Sequence, residues 1–139
     1  MASIHTVTLF ADGGSRGNPG PAGSGAVLYD SEGKEIAALK KFLGKTTNNV
    51  AEYTAVVIGL EHAKQLGAKR VNAFLDSQLV VRQMTGEYRV RQPHLQTLYL
   101  KIQALCTDFE QVSFNHVRRE RNARADELAN EAMDQGMKQ

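Results

Sequence analysis

Residues 6–10, Thr-Val-Thr-Leu-Phe, are β-branched and aromatic with partial alternation, and they predict a strand. The glycine-dense stretch from Asp12 to Pro21 that follows predicts a loop. Residues 25–29 predict a second strand. It turns through Asp30-Ser31-Glu32-Gly33 into a third over 34–42, giving three antiparallel strands. Over 50–66, Tyr53, Val56 or Val57, Leu60 and Ala63 recur at helical spacing, after Thr47-Asn48-Asn49 as capping candidates and before Gly67 as a stop. A short apolar strand over 71–75 ends at Asp76, and a helix over 77–85 closes at Gly86. Leu95, Leu98, Ile102 and Leu105 form one stripe of a helix over 94–106. Residues 111–117 alternate as a last strand. A polar loop then leads to a helix over 125–134 with Leu128, Ala129 and Met133 inward. The order βββαβααβα predicts an α/β fold, a five-stranded mixed sheet covered by helices. No internal repeat, low-complexity tract or linker interrupts it.

The 139 residues suit one domain over 1–139, and 42% hydrophobic with 23% charged residues excludes global disorder. The single cysteine, Cys106, cannot form an internal bridge, so a disulfide framework is excluded and a reducing compartment is expected. No apolar run approaches the ~20 residues that span a bilayer, and the N-terminus lacks the basic and apolar regions of a signal peptide. The expectation is a cytoplasmic protein without membrane contact. The net charge of +2 is uninformative, but its distribution is not. Residues 82–124 are rich in arginine, whereas 125–139 carry Asp126, Glu127, Glu131 and Asp134 against Lys138. A basic zone beside an acidic one suits a polyanion site next to a cation site, and an ordinary solvated surface gives the same count.

Functional groups in such folds gather beyond the carboxyl ends of parallel strands. Asp12 closes the first predicted strand and Asp76 the fourth, so their carboxylates meet if those strands are neighbours. Glu52 and Asp126 fall in the first turns of two predicted helices. Each acid alone is explained as a cap or turn residue, because orphan amides and the helix dipole favour anions there. Four together point further. Clustered carboxylates raise one another's pKa unless a cation compensates, and oxygen ligands without a cysteine cluster indicate magnesium or manganese. Two such ions, roughly 3.5–4 Å apart, stabilise both the attacking and leaving oxygens of displacement at phosphorus. Phosphodiester hydrolysis is the expected reaction class. The glycines fit neither a dinucleotide fingerprint nor a triphosphate loop.

The motifs Asp12-Gly13-Gly14-Ser15, Gly17-Asn18-Pro19-Gly20-Pro21, Thr46-Thr47-Asn48-Asn49 ahead of Glu52, Asp76-Ser77-Gln78, and Asn122 ahead of Ala125-Asp126-Glu127-Leu128-Ala129 closely resemble the type 1 ribonucleases H. The likeness runs from about Val7 to Ala132 in the family's order and spacing. It implies a ribonuclease H-like fold and endonucleolytic cleavage of the RNA strand of RNA/DNA hybrids, leaving a 5′-phosphate and a 3′-hydroxyl. It implies Mg2+ or Mn2+, two ions per site with substrate bound, held by Asp12, Glu52, Asp76 and Asp126, the four acids singled out above by position. His116 matches a family histidine implied to relay protons or aid product release; its plainer reading is a half-buried strand residue. Arg119 is implied as a contact to the scissile phosphate, with a solvated arginine as the alternative.

Telling RNA from DNA requires detecting the ribose 2′-hydroxyl. The resemblance places Asn18, Asn48, Asn49 and Gln78 at the minor groove, Thr47 near a DNA phosphate and Asn122 among the substrate-binding residues; the backbones of Gly13 and Gly14 can approach a sugar or phosphate. Some members grip the DNA strand with a basic, tryptophan-bearing protrusion. Here the segment from Gly86 to His94 is short and tryptophan is absent, as in the compact bacterial and archaeal branch. Arg82, Arg89 and Arg91 are left to supply a salt-dependent contact. A monomer is expected. Two other readings stay open: an enzyme that also cuts double-stranded RNA, and a non-catalytic nucleic-acid-binding module. An integrase or transposase core would need flanking DNA-binding domains.

Overall fold

The computed structural model describes residues 4–138. Its elements run β1 (Thr6–Ser15), β2 (Gly20–Tyr29), β3 (Glu35–Thr46), α1 (Asn48–Gln65), β4 (Arg70–Leu75), α2 (Gln78–Met84), α3 (Pro93–Cys106), β5 (Gln111–His116), a 3-10 turn (Arg119–Asn122) and α4 (Ala123–Met137). The five strands form one mixed sheet in the order β3-β2-β1-β4-β5. β1, β2 and β3 are antiparallel neighbours, while β4 joins β1, and β5 joins β4, in parallel.

Alternation along β1 sorts the two sides of the sheet. Val7, Leu9 and Ala11 are buried in a core shared with Tyr53, Val56 and Leu60 of α1 and with Leu95 and Ile102 of α3. Val27 of β2 belongs to a second cluster with Ala125 and Leu128 of α4, flanked by Phe10 and Tyr29. The period-2 rule thus divides the helices, with α1 and α3 against one face and α4 against the other. Among the described residues no helix is long and apolar enough to cross a membrane.

The structure corrects the expected loop from Asp12 to Pro21. β1 continues through Ser15 and β2 starts at Gly20, with Gly13 opposite Ser24, Gly14 opposite Gly23 and Ser15 opposite Ala22. Helices pack almost onto the backbone of Gly13 and of Gly23 and Gly25 on β2. A Cβ on Gly25 would stand 2.3 Å from the Ala125 carbonyl oxygen, and one on Gly23 would stand 2.7 Å from that of Ala129. Glycine in a strand marks this kind of close approach as well as a turn. β3 also runs further than expected, to Thr46, and α4 is longer at both ends.

Candidate active site

The parallel pairing of β1 with β4 ends at Ala11 opposite Leu75, whereas β1 stays paired with β2 as far as Ser15. Asp12 is therefore a mid-strand residue that does not close β1; what ends beside it is the ladder to β4. Asp76 is the first residue beyond β4. The two acids stand side by side where the backbones part, the position at which open α/β sheets bind ligands. A cleft of about 500 Å³ opens there, and Asp12, Glu52, Asp76 and Asp126 all line it.

Each acid is placed by an identifiable contact. Thr47 is the N-cap of α1, its Oγ1 accepting from the Val50 amide at 3.3 Å, so Glu52 lies in the second turn of the helix and not the first. A Cβ on Gly13 would stand 2.2 Å from the carbonyl carbon of Ala51 and 2.5 Å from the Glu52 nitrogen, so α1 rests on bare backbone at this point. The buried Ser24 hydroxyl donates to the Ala51 oxygen at 2.6 Å and fastens the same turn from β2. Asp76 accepts at Oδ2 from Asn122 Nδ2 at 3.2 Å. Asp126 is in the first turn of α4, as expected, and its backbone oxygen accepts from Asn130.

Charge accumulation shows in the acid–base behaviour. Burial foremost, then the neighbouring Asp76 and a side-chain hydrogen bond with Asp126, hold the Asp12 carboxyl far above the usual carboxylate range, against a lowering bond from the Gly13 amide. Burial pushes Glu52 up to about 7, with Asp76 adding to the rise and a hydrogen bond from Ser77 opposing it. Glu52 Oε2 is buried without a hydrogen-bond partner. An orphaned carboxylate oxygen in a cleft that three other acids also line is a donor set suited to a hard divalent cation. Among the described residues no three His, Cys, Asp or Glu side chains are grouped closely enough to hold an ion by themselves.

The remaining expected residues divide. Gly13, Gly14, Asn48 and Arg119 line the cleft. Asn48 Oδ1 accepts from both the Ser15 backbone amide and the Ser15 hydroxyl at 2.8 Å, and the Asn48 backbone N–H donates to Asn18 Oδ1 at 3.1 Å, so Asn18 and Asn48 form one unit at the rim. Asn49 is in the first turn of α1, and Gln78 is exposed at the start of α2. Thr47 is engaged as a cap. His116 is exposed at the end of β5, paired in register with Leu75, and is not part of the cleft lining. Asn122 is 1% exposed, too deep for the substrate contact expected of it.

Two lining residues escaped the sequence reading. Arg16 ion-pairs with Asp134 at 2.6 Å and reaches Asn130 at 3.4 Å, bridging the β1–β2 connection to α4. Asn130 follows Asp126 by four residues, a spacing that puts both on one helix face and was the available signal.

A family model described as reverse transcriptase-like matches residues 10–132. The solved ribonuclease H1 of the archaeon Halobacterium salinarum superimposes with a TM-score of 0.90 at 42% identity, covering 94% of this chain and 98% of that one. The chain belongs to the type 1 ribonuclease H family. A ribonuclease H1 from a compost metagenome, solved in complex with an RNA/DNA hybrid, is similar at 43% identity with a TM-score of 0.89, over 94% of this chain and 99% of that one. A bifunctional protein of Mycobacterium tuberculosis is 48% identical over 92% of this chain, which spans only 35% of that relative's length.

Proposed function

We propose that this ribonuclease H domain hydrolyses the RNA strand of RNA/DNA hybrids, leaving a 5′-phosphate and a 3′-hydroxyl. The observation that carries the reading is the convergence of four carboxylates from four separate chain segments on one cleft, with Glu52 Oε2 unpartnered. The hybrid-bound relative supports the substrate class.

Asp12, Glu52, Asp76 and Asp126 would hold two divalent cations, Mg2+ or Mn2+, which lower the pKa of attacking water and offset charge on the attacked phosphate and the leaving 3′-oxygen. The protein's share is positioning. Gly13 and Gly14 both line the cleft beside Asp12, and at Gly14, where a Cβ would meet nothing nearer than Met133 Cε at 4.0 Å, a sugar–phosphate chain can lie against the strand. Asn48 uses Oδ1 internally, which leaves its amide hydrogens to meet the ribose 2′-hydroxyl or a base edge in the minor groove. Asn18, locked to Asn48, extends that edge, and Asn49 and Gln78 flank it at the starts of two helices. Arg119, on the cleft wall, neutralises a phosphate oxygen. The reading does not depend on His116.

The test is cleavage of matched RNA/DNA hybrid, RNA duplex and DNA duplex with Mg2+, with Mn2+ and with chelator. Hybrid cleavage that chelator abolishes is expected. Binding without cutting would point instead to a nucleic-acid-binding module, and comparable cutting of the RNA duplex would extend the substrate range to double-stranded RNA.

A further inference from the structure

Asn122 makes two hydrogen bonds with one nitrogen, and both end at the fork between β1 and β4. Nδ2 donates to the Ala11 carbonyl oxygen at 2.9 Å and to Asp76 Oδ2 at 3.2 Å. Ala11 is the last β1 residue paired with β4 and immediately precedes Asp12. Asn122 itself immediately precedes α4, four residues ahead of Asp126. One amide group therefore ties together the chain segments that carry three of the four acids.

Local roles do not account for this side chain. It occupies the N-cap position of α4 but makes no side-chain cap hydrogen bond. Its Oδ1 is buried with no partner, an arrangement less stable than a satisfied amide. A buried polar group that is half-satisfied yet spends both amide hydrogens at the carboxylate fork is placed for orientation.

We propose that Asn122 is a positioning residue for the cation site: it fixes the rotamer of Asp76 through Oδ2 and holds that carboxylate in register with Asp12 and Asp126. The inference rests on the functional reading above. It is distinct from the contact to substrate that the sequence suggested, since the residue does not reach the cleft surface. Partners behind a metal ligand typically change metal affinity or turnover by about 10–100-fold when removed.

The experiment compares the wild type with Asn122→Leu and with Asn122→Asp, which keeps the side-chain volume if the leucine variant does not fold. Asn115→Ala serves as control, because Asn115 Nδ2 also bonds a backbone oxygen, that of Ala73 on β4 at 3.2 Å, and the Ser113 hydroxyl at 3.1 Å, but none of the four acids. Mn2+ affinity without substrate is read by calorimetry, and kcat and KM on hybrid are read at fixed and raised Mn2+. Both Asn122 variants are expected to bind Mn2+ at least about 10-fold more weakly. Their kcat should drop by about 10–100-fold and recover in part at high Mn2+, with KM for hybrid within about twofold of wild type. The control should match wild type. Asn122 variants that keep wild-type Mn2+ affinity and kcat overturn the positioning role alone. A wild type that neither binds Mn2+ nor cuts hybrid overturns the functional reading, and this inference with it.

Discussion

Gly13 lies flush against Ala51: a Cβ on the glycine would stand 2.2 Å from the carbonyl carbon and 2.3 Å from the carbonyl oxygen. The strand that carries Asp12 and the helix that carries Glu52 thus meet backbone to backbone, one residue from each acid. Glycine is required here for its missing side chain, since the cleft exists only while α1 can come this close.

Gly13→Ala should therefore push α1 outward. Overpacking against main chain typically costs about 1–3 kcal/mol, and the nearest atoms here are backbone, so the upper part of that range is expected. Thermal unfolding should show Tm lowered by roughly 5–10 °C, and hydrolysis should fall more than stability explains because Glu52 moves with its helix. A variant with wild-type Tm and turnover would refute the close approach.

Ser24→Ala examines the same junction from β2. The substitution removes a buried 2.6 Å bond to the Ala51 oxygen and leaves that oxygen short of a partner. A loss of about 1–2 kcal/mol is expected in chemical denaturation, with the slope against denaturant unchanged. The smaller effect than at Gly13 follows from losing an attraction instead of creating a clash.

The pH dependence of the metal-free protein follows from the raised carboxyls. Glu52 has a folded-state pKa of about 7 against an ordinary value of 4.5, so between those values the folded state binds more protons than the unfolded state. Stability must then decline as pH rises from about 4.5 through 7, with Asp12 extending the decline in the same direction. Scanning calorimetry in chelator from pH 5 to 8.5 should show Tm falling. Added Mg2+ should flatten the slope by taking the place of the protons, and titrating Mn2+ at pH 6 should release protons into the buffer. A Tm that rises through this window in chelator would contradict the burial of these two groups.

The acids were legible because each sits at an end that sequence can locate: after a strand, or near a capped helix start. Their details were less so. Glycine in the stretch from Asp12 to Pro21 reads locally as a turn signal, yet Gly13 is a strand residue whose missing side chain admits α1, as those of Gly23 and Gly25 on β2 admit α4. That requirement comes from helices distant in the chain, which local composition does not report. Glu52 fell one turn further into α1 because Thr47, and not Asn48 or Asn49, caps it. Asn122 drew attention as part of a motif, but its bonds to residues 111 and 46 positions away exist only after folding. Arg16, within the expected loop, gave no sign that it would reach Asp134.

Asp76→Asn separates chemistry from architecture. The asparagine keeps an oxygen that can accept from Asn122 Nδ2, so the bond across the fork survives. It also removes one negative charge from beside Asp12 and Glu52, both of which Asp76 raises. The metal-free variant should therefore unfold at a Tm equal to or above that of the wild type at pH 8, where the wild-type cleft carries most repulsion. Hydrolysis of hybrid should fall by about a hundredfold or more, because a neutral amide is a much poorer partner for a hard cation. Protection of the variant against urea, measured in chelator, confirms that the loss is chemical. A lower Tm together with near-normal turnover would mean that Asp76 serves the fold and that the cleft's chemistry lies with the other three acids.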